Sequence, residues 1–295
     1  MPNSSGTSVH MAVGLREVID ETDLVICDLW GVMHDGLRLH ADAVEAIQRA
    51  REAGVRTVFL SNAPRPRTHV RDHLMEMGLP TSLTDFVVTS GGLARDEVRE
   101  RFTDARLYHV GPEGDRNTVE GLPVTDVDHP DEADIILATD LDFQDVEAHG
   151  PWLRAAAERG VPFLCANPDR IVHVGERLYP CAGAVADLYA SMGGDVHWFG
   201  KPTPQALQSC LKEVGMDCST PGSRVLMVGD SLQTDMAGAS AAGYRGLFIT
   251  GGIHRDEAPL LDQAANKARV PVHSFRKIFG EEKAVPHAVM QALKW

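Results

Sequence analysis

Short apolar runs alternate with amphipathic segments along the N-terminal third of the chain. The runs have the length of buried strands, and the amphipathic segments carry apolar residues at helical spacing. The predicted elements are, in chain order, a helix over Val13–Asp20, a strand over Leu24–Cys27, a helix over Ala41–Ala53, a strand over Val55–Leu60, a helix with Val70, Leu74 and Met77 on one face, and a strand over Phe86–Val88. This alternation predicts βαβ units and a parallel sheet.

The same alternation continues through the rest of the chain. The predicted strands are Arg106–Val110, Ile135–Ala138, Pro162–Ala166, Arg224–Val228 and Arg245–Ile249. The predicted helices are Asp142–Arg159, interrupted at His149–Pro151, and Ala182–Met192, Thr203–Val214 and Gln233–Ala242. The fold class is therefore α/β, with a Rossmann-like parallel-sheet core over residues 12–89 and 199–295. A smaller α/β domain over residues 90–198 is inserted, with hinges at Thr89–Gly92 and near Gly200.

Composition excludes several classes of partner. The net charge of -14 lacks the basic footprint that nucleic acids require, and no run approaches the length of a membrane span. The five cysteines form no C-x-x-C motif and fit a reducing compartment. Residues 1–10 are polar and Ser-rich, without the features of a secretory signal, so a cytoplasmic protein is expected, starting at Met1 or at Met11.

Polar residues follow several of these strands at the point where each ends. They are Asp28, the pair Ser61–Asn62, Lys201 in Gly200–Pro202, and Asp230 with Asp235. Carboxylates gathered at one site must be protonated or hold a cation, and this oxygen set suits Mg²⁺. Ser61 and Lys201 would then hold phosphate oxygens, and Asp28 would attack phosphorus as a nucleophile.

Each segment taken alone has an ordinary structural interpretation. Ser61–Asn62 is a common helix cap, and Gly200–Pro202 is a common turn with a solvated lysine. A P-loop is excluded because Asp195 and Pro202 occupy positions that need Gly and Ser or Thr. His69 and His73 stand at metal-ligand spacing, but the zinc-protease motif needs Glu where Val70 stands, which favours a solvated helix face.

The ordered set resembles the haloacid dehalogenase (HAD) superfamily, in the class with a large cap between the second and third motifs. The closest likeness is to the NagD-like nucleotidases and 4-nitrophenyl phosphatases, and it runs from about Leu24 to Gly252. The motifs that carry it are Asp28 with Gly31–Val32, Ser61–Asn62, Gly200–Pro202, Gly229–Asp235, Asn167–Asp169 and Tyr179–Gly183.

The resemblance implies a role for each motif residue. Asp28 would be the nucleophile, and Ser61, with Asn62 beside it, would bind the phosphoryl group that Lys201 stabilises. Asp230 and Asp235 would hold Mg²⁺ together with Asp28 and the backbone carbonyl of Trp30. Asn167, Asp169 and the turn Cys181–Ala184 are candidate substrate contacts of a cap that would close over the substrate.

Trp30 departs from the family pattern, because phosphatases of the superfamily have a second Asp at this position. The backbone carbonyl remains, but an indole N–H cannot exchange protons as that acid and base does. Losing such a group costs about 10²–10⁴-fold in rate. His34 and Asp35 are candidate substitutes or a solvent-facing pair, and Trp30 is alternatively a stacking surface for a ring-bearing substrate.

The first hypothesis is a Mg²⁺-dependent phosphohydrolase that acts on a small organic phosphate (a nucleotide, sugar phosphate or aryl phosphate) through an Asp28 aspartyl-phosphate. The alternative is a phosphate- or nucleotide-binding protein with little turnover, because Trp30 replaces the acid and base. C–halogen hydrolysis uses the same nucleophile without metal, and the pair Asp230 and Asp235 makes it the least favoured. The resemblance also makes a homodimer possible.

Overall fold

The computed structural model describes residues 7–142, 145–174 and 177–295, and these form two compact units. The core unit comprises the residues up to Ser61, Arg71–Val88 and Lys201–Trp295. The inserted unit comprises Asn62–Val70 and Thr89–Gly200. The domain division made from the sequence, with its boundaries at 89/90 and 198/199, stays a prediction.

The described residues contain the following regular elements. The strands are β1 (Ser8–Met11), β2 (Leu24–Cys27), β3 (Arg56–Ser61), β4 (Val87–Thr89), β5 (Arg106–Val110), β6 (Thr125–Asp126), β7 (Ile135–Ala138), β8 (Phe163–Cys165), β9 (Ile171–Val174), β10 (Arg177–Pro180), β11 (Val196–Trp198), β12 (Val225–Gly229), β13 (Arg245–Ile249), β14 (Arg269–Pro271) and β15 (Ala288–Met290). The α-helices are α1 (Ala41–Glu52), α2 (Arg67–Glu76), α3 (Ser90–Arg101), α4 (Gly150–Glu158), α5 (Ala182–Ser191), α6 (Pro204–Glu213), α7 (Ala237–Ala242), α8 (Ala258–Ala264) and α9 (Val272–Phe279).

The core unit is built on one sheet, whose strand order among the described residues is β14-β1-β15-β13-β12-β2-β3-β4. Each strand pairs in parallel with the next one in the series β1, β15, β13, β12, β2, β3. Strand β14 pairs antiparallel with β1 at the edge of the sheet. The predicted α/β fold class with a parallel-sheet core is confirmed.

The central strand β2 positions the chemistry. Its four residues are buried, as expected for a parallel strand covered on both faces. Cys27 pairs with Phe59 of β3 on one side and with Val228 of β12 on the other. The carboxyl ends of the three strands therefore lie side by side, where parallel sheets bind ligands.

The inserted unit has its own parallel sheet, in the order β11-β8-β7-β5-β6 among its described residues, and a two-stranded antiparallel ribbon of β9 and β10. Helices α4 and α5 pack on it through Leu153, Val185 and Tyr189. The Tyr189 ring stacks on Phe163, and its buried hydroxyl donates to the Val161 carbonyl at 2.5 Å.

The helix predicted over Val13–Asp20 was wrong, because that segment contains one short 3₁₀ turn, Leu15–Glu17. The segment Thr89–Gly92 begins α3, because the Thr89 hydroxyl caps the helix by accepting the Gly92 N–H. The hinge expected at this segment stays a prediction.

Two helix predictions need a different description. The helix predicted over Asp142–Arg159 is a 3₁₀ turn, Val146–His149, followed by α4. Pro151 sits in the first turn of α4, where its missing N–H costs nothing, so it begins the helix rather than breaking one. Residues 143 and 144 of that prediction lie outside the described residues, as does the polar stretch before residue 7. The helix predicted from Gln233 starts as a π-helical turn, Leu232–Met236.

Within the part of the chain that is described, no helix is both long and apolar enough to cross a membrane.

Candidate active site

Three neighbouring strands deliver polar residues to one edge of the core sheet. Asp28 follows β2 and donates its backbone N–H to Val228 of β12 at 2.9 Å. Ser61 is the last residue of β3, and Asp230 directly follows β12. The apolar runs fix these positions, because burying each strand leaves its first polar residue at the carboxyl edge.

Lys201 joins two of the carboxylates. Its Nζ lies 2.5 Å from Asp28 Oδ1 and 2.7 Å from Asp235 Oδ1. The lysine is 2% exposed. Burial alone would lower its pKa, but the charges of Asp235 and Asp28 outweigh that effect and raise the pKa. Lys201 is therefore a permanent cation between the predicted nucleophile and a predicted metal ligand.

Asp230 is enclosed by glycine backbone. A Cβ atom on Gly31 or on Gly252 would collide with its carboxylate, so both glycines let the main chain approach closely. The Ile253 N–H donates to Asp230 Oδ2 at 3.0 Å. The contact with Gly31 also brings the Trp30–Gly31 peptide to the carboxylate cluster.

Asp235 is held by the turn that contains it. Its Oδ2 accepts the Ser231 N–H at 2.9 Å, and a Cβ atom on Gly229 would collide with its side chain. The Ser231 hydroxyl accepts the Thr234 N–H and caps the π-helical turn. Single π-turns inside helices occur frequently at functional sites. This turn aims Asp235 back towards the end of β12.

The cluster has a charge imbalance that a cation would correct. Ligand atoms of Asp28, Asp230 and Asp235 all lie within 4.8 Å of one another, and all three residues are buried. Burial, then the charges of Asp28 and Asp235, raise the pKa of Asp230 to about 8. Burial also raises the pKa of Asp235 to about 6, with Lys201 opposing and Asp28 adding to the rise. Three carboxylates against one ammonium fit a divalent cation with oxygen ligands.

The Trp30 side chain lies in the loop after Asp28 and is 52% exposed. Its six-membered ring is packed against Gly36, where a Cβ atom would collide with it. The His34 ring meets the indole edge-on at 5.6 Å between centroids. The Gly31 N–H donates to the His34 carbonyl at 2.9 Å and closes the loop.

The two candidate substitutes for the missing acid and base are engaged in holding this loop. His34 Nδ1 accepts the Gly36 N–H at 3.0 Å, and burial, with His73 and His40 nearby, lowers the pKa of His34 to about 4. Asp35 Oδ1 accepts the N–H groups of Leu37 and Arg38, and these bonds lower its pKa. Both roles are structural, so neither residue stands ready to protonate a leaving group.

The predicted substrate contacts of the inserted unit lie together. The Asn62 side-chain amide donates to Asp169 Oδ1 at 2.9 Å, and Asn167 Oδ1 accepts the Asp169 N–H at 3.3 Å. The Asp169 carbonyl in turn accepts the Gly183 N–H at 3.1 Å. The structure thus groups Asn62, Asn167 and Asp169 in one unit and groups Asp28, Lys201, Asp230 and Asp235 in the other.

Sequence reasoning gave no role to several residues that hold the carboxylates and Trp30 in place. Gly252 and Ile253 contact Asp230, Ser231 contacts Asp235, and Gly36 contacts Trp30. The signal was present in part, because Gly251–Gly252 follows the predicted strand Arg245–Ile249 at the same edge of the sheet.

Comparison with known proteins agrees with this geometry. The sequence profile of the haloacid dehalogenase-like hydrolases matches residues 25–125, and a HAD-hydrolase-like profile matches residues 198–277. The crystal structure of a haloacid dehalogenase-like hydrolase from Brucella suis 1330 is 33% identical, with a TM-score of 0.76, over 96% of this chain and 100% of that one. The chain belongs to the haloacid dehalogenase-like hydrolases. The family inferred from the motifs is confirmed.

Curated relatives place the chain more narrowly within this family. D-glycerol 3-phosphate phosphatase of Mycobacterium tuberculosis is 26% identical over 91% of this chain and 74% of its own length. Ribonucleotide monophosphatase NagD of Escherichia coli is 26% identical over 78% of this chain and 88% of its own length. The predicted likeness to the NagD-like group and the prediction of an enzyme are both confirmed.

Proposed function

We propose that this protein is a Mg²⁺-dependent phosphatase that hydrolyses small phosphate monoesters through an aspartyl-phosphate on Asp28. The observation that carries the proposal is the position of the Lys201 ammonium between Asp28 and Asp235, beside the third buried carboxylate of Asp230. A nucleophilic carboxylate, a fixed cation and acidic metal ligands are the parts that phosphoryl transfer requires.

The residues would divide the work as follows. An Asp28 carboxylate oxygen forms a bond to phosphorus while the bond from phosphorus to the leaving oxygen breaks. Lys201 holds Asp28 in place and offsets the negative charge that spreads over the phosphoryl oxygens. Bound Mg²⁺ would neutralise the carboxylate cluster and polarise the phosphoryl group. Water then attacks phosphorus, releasing inorganic phosphate and restoring the Asp28 carboxylate.

Proton transfer is the weak point of this site. The Trp30 indole N–H cannot act as an acid and base, and His34 and Asp35 are engaged in the loop. The leaving oxygen must then take its proton from water, so the acidity of the leaving group controls the first step. The second step would proceed without a positioned base and would be slow.

The names of the relatives support the substrate class. Phosphatases of D-glycerol 3-phosphate and of ribonucleotide monophosphates act on small organic phosphates. We extend this class to the present chain, with Ser61, Asn62, Asn167 and Asp169 as proposed substrate contacts. The net charge of -14 and the unpatterned cysteines support a cytoplasmic enzyme without a nucleic-acid partner, and a homodimer stays a prediction.

The test is a panel of phosphate esters given to the wild type and to Asp28→Asn, each with Mg²⁺ and with a chelator. The proposal expects phosphate release that needs both Asp28 and the metal, greatest for 4-nitrophenyl phosphate. Equal release by wild type and Asp28→Asn across the panel would overturn it.

A phosphate-binding protein with little turnover is the second candidate function, because no residue placed in the described loop replaces the missing acid and base. It expects metal-dependent binding of a phosphorylated ligand, seen as a rise in melting temperature, without phosphate release above the Asp28→Asn background. Rapid turnover of an alkyl phosphate would exclude it.

A further inference from the structure

A large aromatic side chain stands exposed close to the predicted nucleophile. The Trp30 side chain is 52% exposed, whereas its neighbours Leu29 and Val32 are buried at 2%. Two residues of chain span at most about 7 Å, so the indole is attached within reach of a group esterified to phosphate at Asp28. The contact of Gly31 with Asp230 anchors the Trp30 backbone at the carboxylate cluster.

The loop holds the indole in one orientation. Gly36 has a φ of +91° and presses its backbone against the six-membered ring of Trp30, where no Cβ atom would fit. His34 packs edge-on against the same indole and is fixed by the Gly36 N–H. A ring that is already immobilised loses little conformational entropy when another ring stacks on it.

The indole therefore presents a fixed aromatic surface of which about half is exposed. Such a surface suits contact with a second planar, apolar ring.

We infer that the exposed indole of Trp30 is a preformed stacking surface that selects phosphate monoesters carrying an aromatic ring. The inference rests on the proposed phosphatase function and adds a substrate class to it. The ring is a nucleobase or a simple aryl group, and these two sources share the stacking chemistry. Trp30 is in this account a specificity residue, and its loss should change preference among substrates.

Two pairs of substrates isolate the ring from the leaving group. Adenosine 5′-monophosphate and ribose 5-phosphate both leave from a primary ribose hydroxyl, and they differ in the nucleobase. Benzyl phosphate and cyclohexylmethyl phosphate both leave as primary alcohols of similar size, and they differ in aromaticity. The ratio of kcat/KM within each pair reports on ring recognition, and the two pairs distinguish a nucleobase from an aryl group.

Two kinds of variant test the indole. In Trp30→Leu the kcat/KM ratio of the aromatic over the non-aromatic substrate should fall about tenfold in the pair that the indole recognises, which is the size of one lost aromatic stack. Trp30→Phe should keep most of this ratio. Gly36→Ala keeps the tryptophan at position 30, but the added Cβ atom should displace its ring. The matched control is Gly78→Ala, because Gly78 has a φ of +96° and open space where a Cβ atom would lie, so it carries the same backbone strain without the collision.

The outcomes separate this inference from the proposed function. A ratio that falls in Trp30→Leu and Gly36→Ala but not in Trp30→Phe or Gly78→Ala supports the stacking surface. Asp28-dependent hydrolysis with ratios that no Trp30 or Gly36 variant alters would overturn the stacking surface and leave the phosphatase intact.

Calorimetric titration covers the case in which no ester is turned over. The proposed phosphatase function fails in that case, and the stacking surface then predicts that adenosine monophosphate binds the wild type about tenfold more tightly than it binds Trp30→Leu. Equal binding to both proteins, or no binding to either, would overturn the stacking surface.

Discussion

Lys201 Nζ lies 2.5 Å from Asp28 Oδ1, across 173 residues of sequence, and both side chains are buried. Within the core unit, the pairing ties the first residue of the segment Lys201–Trp295 to the residue that directly follows strand β2. It also places one fixed positive charge among three carboxylates, so stability, metal binding and activity should all depend on it.

Removal of this lysine should weaken both the fold and the reaction. Lys201→Met removes the ammonium that Asp28 and Asp235 share while both carboxylates stay buried, which should lower the free energy of unfolding by about 3 kcal/mol in the presence of a chelator. Phosphate release should fall at least about 100-fold. Denaturant unfolding and a phosphate assay measure the two effects.

Lys212→Met is the matched control, because Lys212 is exposed on α6, the helix that follows Lys201. It should change neither quantity appreciably. If Lys201→Met behaved like this control, the buried ion pair would contribute nothing to stability or turnover.

The raised pKa of Asp230 predicts a pH-dependent metal effect. Folding keeps this carboxyl protonated well above its unfolded pKa of 3.8, so its contribution to stability is full at low pH and is lost as pH rises towards about 8. In a chelator, the melting temperature of the wild type should therefore fall relative to Asp230→Asn between about pH 5 and about pH 8.

Added Mg²⁺ should reverse that difference. It should raise the melting temperature of the wild type near pH 8, where the carboxylates are ionised, and affect Asp230→Asn much less. Calorimetric scans of both proteins across this pH range measure it. A wild-type melting temperature that is insensitive to Mg²⁺ at every pH would contradict the metal site.

The carboxylate cluster could be predicted from the sequence because it depends on strand ends. The buried runs that end at Cys27, Leu60 and Val228 each leave a polar residue at one edge of a parallel sheet. The start of α3 could not be predicted from the sequence, because Gly91 and Gly92 have low helix propensity. Gly91 is required there by tertiary contact, since a Cβ atom would collide with the backbone of Pro64 and Arg65.

The contacts that hold the site in place could not be predicted from the sequence for a related reason. Whether His34 faces solvent or is buried depends on the loop closing over Gly36, which no local pattern encodes. Strands β14, β1 and β15, which lie next to one another at one side of the sheet, are short, and pairing rather than composition makes them strands. Long-range contact decides such cases where local preference is weak.

The missing acid and base predicts a steep dependence on the leaving group. For wild type, the rate of the first step should rise strongly with the acidity of the leaving phenol across a series of aryl phosphates. Trp30→Asp should flatten this dependence and gain activity on alkyl phosphates, by up to about 100-fold.

Trp30→Asn is the matched control, because it introduces a side chain of the same size that cannot exchange protons. Rates of the first step are measured at saturating Mg²⁺ for the three proteins across the series of aryl phosphates. The slope of the logarithm of this rate against the pKa of the leaving phenol is then compared. If Trp30→Asp had the same slope as wild type and Trp30→Asn, an acid elsewhere in the protein would already serve the leaving group.

The phospho-enzyme is the most direct test of the central claim. Because the second step lacks a positioned base, the aspartyl-phosphate should accumulate when 4-nitrophenyl phosphate is mixed with enzyme and Mg²⁺ and quenched in acid within one turnover. Peptide mass spectrometry should then find one phosphoryl group on Asp28 in the wild type and none in Asp28→Asn. A released nitrophenol without any phosphoryl group on Asp28, or with the group on another residue, would contradict the account.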